Sequence, residues 1–390
     1  MMTPNRLLIA NAHVYGLTEE WTPGWLLTEG REIKLMGAGQ PPEFPAGFLT
    51  EQIDARGQHL LPGFIDVHVH GAAGHELMDA SPDGLRAMAR FFARHGVTSF
   101  LPTTWTATRE ATLYALKLVA EVQGPVEGGA TILGAHVEGP YLNPTKCGAQ
   151  DPRLIRRAER EEALTFLETG VVRLLALAPE FPENLWLIDE CVRRGVTVSA
   201  AHTAASYEQM VTAVKHGLRQ ATHSFNAMLG LGHREPGTVG AILTLPQIQC
   251  ELIVDNIHVH PAAIQLLAKA KGPEGVILIT DAMRATGQPE GEYPIDTRIV
   301  QVQGGAVRLP DGQLAGSILT MEMALKNFQQ ATGLTLQETW PTTSLNAARA
   351  IGVSARKGSL EVGKDADFIL LDDAGEVRLT VAEGVVVYQR

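Results

Sequence analysis

The middle of the chain, residues 58–358, alternates short apolar runs with amphipathic stretches. Eight runs stand out: 63–70, 97–104, 131–139, 171–180, 197–203, 221–226, 250–255 and 276–282. Between them, stretches such as 83–95, 110–122, 182–194, 207–216 and 262–270 carry apolar positions at three- and four-residue spacing, the stripe of a helix with one buried face. Strand–helix alternation predicts parallel strands, each returned by a crossover helix. Eight such units predict a closed α/β fold, the (β/α)8 TIM-like barrel, in preference to an open doubly wound sheet. No glycine-rich phosphate loop follows the first run, which argues against a nucleotide-binding sheet.

The two ends have a different texture. Residues 6–11, 25–27, 33–36 and 53–57 are short apolar runs broken by turns at Gly30 and Gly57, and 368–371, 377–380 and 384–388 repeat the pattern around Gly375. Matching ends around a different middle predict one small β-sandwich domain formed by both termini. Its parts are residues 1–57 and 359–390, flanking the catalytic barrel.

The polar residues fall at the ends of the runs. The first run closes on Asp66-Val67-His68-Val69-His70 and the third on His136-Val137-Glu138; the fifth, sixth and eighth hold His202, His223 and Asp281. In a parallel barrel the C-terminal strand ends share one face, where active sites are built. Strand side chains alternate with period two, so His68 and His70 point the same way, as do His136 and Glu138. Each residue alone has a bland reading: an ordinary strand histidine, a carboxylate capping a turn, an N-cap. Their joint position at one mouth favours a metal site. Imidazole and carboxylate suit Zn²⁺ or Fe²⁺, with Mn²⁺ and Co²⁺ also open, and one or two ions per subunit. Such a site implies hydrolysis by metal-bound hydroxide, with a carboxylate shuttling the proton. His136 is expected beside the ligands, whereas His13, His59, His75, His95, His216, His233 and His260 are expected to be surface or structural.

Composition narrows the class. At 390 residues, 45% hydrophobic and 19% charged, the chain is too apolar for disorder. A net charge of −11 argues against nucleic-acid binding, so positive charge for an anionic substrate must be local. No apolar run approaches the roughly 20 residues of a membrane span, and the N-terminus turns polar too early for a signal peptide. Cys147, Cys191 and Cys250 are odd in number and far apart, a usage typical of the reducing cytoplasm.

Longer segments carry a resemblance. They are Pro62-Gly63-Phe64-Ile65-Asp66-Val67-His68-Val69-His70-Gly71, His136-Val137-Glu138-Gly139-Pro140, Ala201-His202-Thr203, Thr222-His223-Ser224-Phe225-Asn226-Ala227-Met228, Arg234-Glu235-Pro236-Gly237, Asp255-Asn256-Ile257-His258 and Thr280-Asp281-Ala282-Met283. In this order they resemble the metal-dependent amidohydrolase superfamily and, within it, the N-acetylglucosamine-6-phosphate deacetylase family, essentially from end to end. The resemblance implies Glu138, His202 and His223 as principal metal ligands, His68 and His70 as ligands of a second metal, and Asp281 as catalytic acid/base that also touches that metal. It implies Arg234 and His258 as a phosphate clamp completed across a homodimer, with Asn226 and Ala227 holding sugar or phosphate. Gln150 stands where several members carry a histidine that polarises the acetyl carbonyl. It can still donate an N–H but cannot become cationic. The implied substrate is a phosphorylated amino sugar. Three alternatives stay open: the galacto epimer as substrate, another amidohydrolase activity such as a cyclic-amide hydrolase or deaminase, and a non-catalytic assembly module descended from such enzymes.

Overall fold

The computed structural model describes residues 5–390. At its centre eight parallel strands form a barrel: Phe64–Val69, Val97–Thr104, Ala135–Glu138, Val172–Leu177, Thr197–Ala200, Gln220–Ala221, Gln249–Ile253 and Val276–Ile279. Each pairs in parallel with the next. The ring closes where Val69 bridges Ala282 and where the Asp281 amide donates to the His68 carbonyl at 2.9 Å. The first two strands are buried at every position, because helices cover the outside and side chains fill the inside. That double burial is why these strands read as continuous apolar runs rather than alternating ones.

Local chemistry sets the helices. Pro82–Arg94 starts where Ser81 accepts from the Gly84 amide, with proline at the first helical position. Tyr207–His216 opens on a capping box between Ser206 and Gln209 and stops at Gly217, whose φ of +110° suits a residue without a Cβ. Leu85, Met88 and Phe92 face inward from the first of these helices and join the same core as Phe100 and Leu101 of the second strand. Each such side chain contributes about 1.5–3 kcal/mol on burial.

Both termini meet in one eight-stranded sheet. Its central seam is antiparallel pairing of His59–Pro62 with Phe368–Leu371, next to Leu7–Tyr15 and its hairpin partners. Ile9, Leu26, Leu60, Phe368 and Leu379 form its core. Three helices that the apolar spacing did not single out, Arg160–Leu167, Gly237–Thr244 and Met321–Thr332, complete the barrel's cover. A three-stranded antiparallel sheet, Gly291–Ile295, Arg298–Gln303 and Ala306–Arg308, is inserted after the eighth barrel strand. Among the described residues no helix is long and apolar enough to cross a membrane.

A buried cation ties the end of the barrel to the terminal sheet. Lys357 Nζ lies 2.6 Å from Asp367, 3.1 Å from Asp365 and 3.2 Å from Glu383, and its side chain is 4% exposed. Removing one partner of a buried ion cluster strands the others. Lys357→Met is therefore expected to cost about 3–5 kcal/mol, read as a lower midpoint in denaturant unfolding. An unchanged midpoint would show that the cluster does not hold the two units together.

Candidate active site

Six side chains from five strand ends converge at the barrel mouth. Glu138 lies at their centre. Its Oε1 is 3.2 Å from His202 Nε2 and 3.1 Å from His223 Nε2, and its Oε2 is 3.3 Å from His70 Nε2. His68 Nε2 lies 3.7 Å from Glu138 and 3.6 Å from Asp281, whose Oδ1 is also 3.3 Å from His70 Nε2. Donor atoms cluster tightly enough for an ion in three groups: Glu138–His202–His223 and His68–His70–Asp281 side by side at the mouth, and His68–His136–Glu251 behind the second of these.

The backbone aims these side chains. His202, His223 and Asp281 each leave their strand in left-handed geometry, with φ of +43°, +31° and +50°. Such a conformation costs a non-glycine residue of order 1–3 kcal/mol and recurs where a site must point side chains away from the regular strand direction. Gly148 closes the loop over His202, and a Cβ there would come within 3.1 Å of the imidazole. His202 Nδ1 faces the Lys146 carbonyl at 2.8 Å, which fixes the ring so that Nε2 looks into the site. His70 lies flat on Trp105, with ring centroids 3.6 Å apart and an interplanar angle of 8°.

The donor chemistry fits a divalent cation. The Nε2 atoms of His202 and His223 approach to 3.2 Å, and those of His68 and His70 to 3.3 Å. Two lone pairs that close repel unless positive charge lies between them. Among the described residues, the buried Asp281 Oδ1 has no hydrogen-bond partner. Burial opposes the charge on Glu138, but the imidazoles of His68, His202 and His223 hold its carboxyl well below the usual range. Burial likewise opposes charge on His68, yet Glu138 and Asp281 raise it well above the ordinary imidazole value. The pocket thus calls for cations among its carboxylates, a demand that divalent ions meet.

Gln150 is buried and committed. Its Nε2 donates to Glu138 Oε2 at 2.6 Å, and its Oε1 accepts from the Thr106 amide at 2.7 Å. One of its two N–H bonds is therefore spent on orienting Glu138. Gln150, Asn226, Ala227 and His258 line a cavity above this cluster, together with Glu138, His202, His223 and Asp281. Asp255 grips the His258 Nδ1 edge at 2.7 Å. Arg234 is exposed and does not line that cavity.

The apolar-run reading passed over several contributors. Gln313 and Leu314, just beyond the inserted sheet, close one side of the cavity. Trp105 carries no distinguishing spacing. Glu251, fully buried in the seventh strand, bonds His68 Nδ1 at 3.0 Å. A glutamate within Cys250-Glu251-Leu252-Ile253 was the available signal, since a charge inside a barrel strand requires a partner. His136 is fully buried with its ring edge-on to His68 at 4.6 Å.

Comparison with known proteins decides the family. The model of the amidohydrolase family matches residues 59–387. The chain belongs to the amidohydrolase family. This amidohydrolase is 39% identical over 342 residues to the N-acetylglucosamine-6-phosphate deacetylase of Lysinibacillus sphaericus, covering 87% of this chain and 88% of that one. It is 40% identical over 370 residues to the N-acetylgalactosamine-6-phosphate deacetylase of Escherichia coli O157:H7, covering 94% and 96%. Among solved structures it resembles the N-acetylglucosamine-6-phosphate deacetylase of Pasteurella multocida, with a TM-score of 0.92, 31% identity and 98% and 99% coverage. It matches equally well, at a TM-score of 0.92 and 31% identity over 99% of this chain and 100% of the other, a mutant of the Mycobacterium smegmatis enzyme in complex with N-acetyl-D-glucosamine-6-phosphate. The amidohydrolase is a hydrolytic enzyme, and its family is generally dependent on divalent metal.

Glu138 touches both ligand groups, so Glu138→Gln, with the same shape and no charge, is expected to lose most bound divalent ion. Elemental analysis of the purified variant checks this, with circular dichroism to verify the fold. Full metal content in a folded Glu138→Gln would remove Glu138 from the ligand set.

Proposed function

We propose that this amidohydrolase hydrolyses N-acetyl-D-glucosamine 6-phosphate to D-glucosamine 6-phosphate and acetate. The observation that carries the reading is the complete cluster of Glu138, His202, His223, His68, His70 and Asp281 under a cavity lined by His258 and Asn226. The relatives supply the substrate class: the Lysinibacillus sphaericus protein is named for this deacetylation, and the Mycobacterium smegmatis structure holds this sugar phosphate. A non-catalytic module would be expected to have lost ligands, and none of the six is missing. A second reading has its own support, because the Escherichia coli O157:H7 relative acts on the galacto epimer at similar identity.

In this reading Glu138, His202 and His223 would hold one ion, and His68, His70 and Asp281 would hold another beside it. Zn²⁺ and Fe²⁺ suit the donors best. When bound, a divalent ion supplies a water of lowered pKa and charge stabilisation at the acetyl oxygen. Asp281, with Oδ1 unpartnered and facing the cluster, takes the proton of the attacking water and returns it to the amide nitrogen. The C–N bond then breaks with a neutral amine leaving in place of an amide anion. Gln150 keeps Glu138 in register through its 2.6 Å bond and has one N–H left for the acetyl group.

The phosphate falls to His258 and Arg234. His258 reaches the cavity from one chain, whereas Arg234 stands exposed outside it. That separation favours a homodimer in which the partner subunit supplies the guanidinium, a fork suited to phosphate oxygens. The three free cysteines suit a cytoplasmic enzyme.

Acetate release from the two 6-phosphorylated N-acetylhexosamines, before and after chelation and metal return, tests the reading. The gluco substrate should give the higher kcat/KM, with activity lost on chelation and restored by metal. A higher value for the galacto substrate would transfer the assignment to the second reading. Asp281→Asn should lower kcat by about 10²–10⁴-fold, and full turnover would exclude it as the proton carrier. Arg234→Ala should raise KM for the phosphorylated sugar while leaving hydrolysis of unphosphorylated N-acetylglucosamine unchanged. An equal loss on both would refute the phosphate clamp.

A further inference from the structure

Glu251 has no part in the mechanism above, yet it is a fully buried carboxylate beside the cluster. Its Oε2 lies 3.0 Å from His68 Nδ1 and 3.4 Å from the His223 amide nitrogen. Its Oε1 accepts a short bond from Gln220 Nε2, and its backbone carbonyl accepts from the Ser224 amide at 2.8 Å. It therefore braces the sixth strand and its continuation to His223 on one side and His68 on the other.

A neutral imidazole has one N–H, and its other nitrogen is the only one able to bind a metal. Across the cluster the four histidines differ in what faces the nitrogen turned away from it. His202 has a peptide carbonyl, His70 and His223 have nothing among the described residues, and His68 alone has a carboxylate. A carboxylate accepts only, so it keeps the proton on Nδ1 and turns the Nε2 lone pair toward His70 and Asp281. His136, edge-on at 4.6 Å, limits rotation of the ring from another side. Charge counts in the same direction: Glu138 and Asp281 bring two negative charges to a site with donors for two divalent ions, and Glu251 adds a third.

We propose that Glu251 is the positioning residue of the second cation subsite, fixing His68 as an Nε2 ligand and so allowing that subsite to fill alongside Glu138–His202–His223. The proposal rests on the metal-dependent reading above and adds to it a determinant of how many ions are held. With glutamine at 251 the amide can donate to Nδ1, the proton can move to Nε2, and the lone pair is withdrawn from the cluster. The first subsite keeps all three of its own ligands.

The test is titration of metal-free protein with Zn²⁺ against a chromogenic chelator, together with elemental analysis after desalting. The wild type is expected to take up two ions. Glu251→Gln should hold one with unchanged affinity and bind the second roughly 10–100-fold more weakly, the usual loss when a carboxylate behind a metal-bound histidine is removed. Its kcat should fall with KM unchanged, and raised Zn²⁺ should recover the lost turnover. If circular dichroism shows that Glu251→Gln does not fold, Glu251→Asp carries the test. One methylene shorter, it draws the carboxylate away from Nδ1 and should also weaken the second ion selectively. Wild-type affinity for both ions in either folded variant overturns the proposal. A wild type that holds one ion and still releases acetate overturns it too, and leaves the deacetylase reading standing. Two ions bound without acetate release would instead refute the deacetylase reading while leaving the role of Glu251 intact.

Discussion

A single carboxylate sets the terms for the rest of the structure. Glu138 lies within 3.3 Å of three imidazole nitrogens, and 3.7 Å from a fourth, in a fully enclosed setting. Burying that charge is unfavourable unless opposite charge surrounds it. The third strand must end at that point in the ring, the first strand must present two histidines on one side, and the fifth and sixth must turn into left-handed backbone to bring theirs across. Barrel closure is therefore tied to the chemistry: the eighth strand joins the first through the Asp281 amide and the His68 carbonyl, two residues whose side chains belong to one ligand group.

Around this group the fold supplies rigidity in graded layers. Helices cover the strands with apolar faces, and Asp66 seals the final seam by accepting from Thr280 Oγ1 at 2.6 Å. Burial pushes the Asp66 carboxyl up to about 7, because the Thr280 and His68 donors offset only part of the lost hydration. Lys357 anchors the sheet made by both termini. Among the clustered histidines, support from behind is uneven: a carbonyl for His202, a carboxylate for His68, an aromatic face for His70.

The barrel was legible in the sequence because its strands are buried on both faces and end in polar residues. All eight apolar runs correspond to strands of the ring or to their immediate continuations. The convergence of His68, His70, Glu138, His202, His223 and Asp281 follows from that topology together with period-two alternation. Other features left weaker traces. Residues 160–167 and 237–244 are short helices in loop-rich surroundings, and the inserted sheet of residues 291–308 looks like any polar connection. Glu251 was hidden by its apolar neighbours, since one charge in a strand shows its partner only when strands seven and one face each other across the barrel. For Arg234, the fold places an exposed side chain outside the cavity, a separation that residue order along the sequence does not reveal.

The most direct test of the central claim is anomalous diffraction from crystals of the Zn²⁺-loaded protein, recorded on both sides of the zinc absorption edge. An edge-dependent peak is expected at coordination distance from Glu138, His202 and His223, with a second beside His68, His70 and Asp281. Zinc bound elsewhere, with the carboxylate of Glu138 facing no ion, would contradict it.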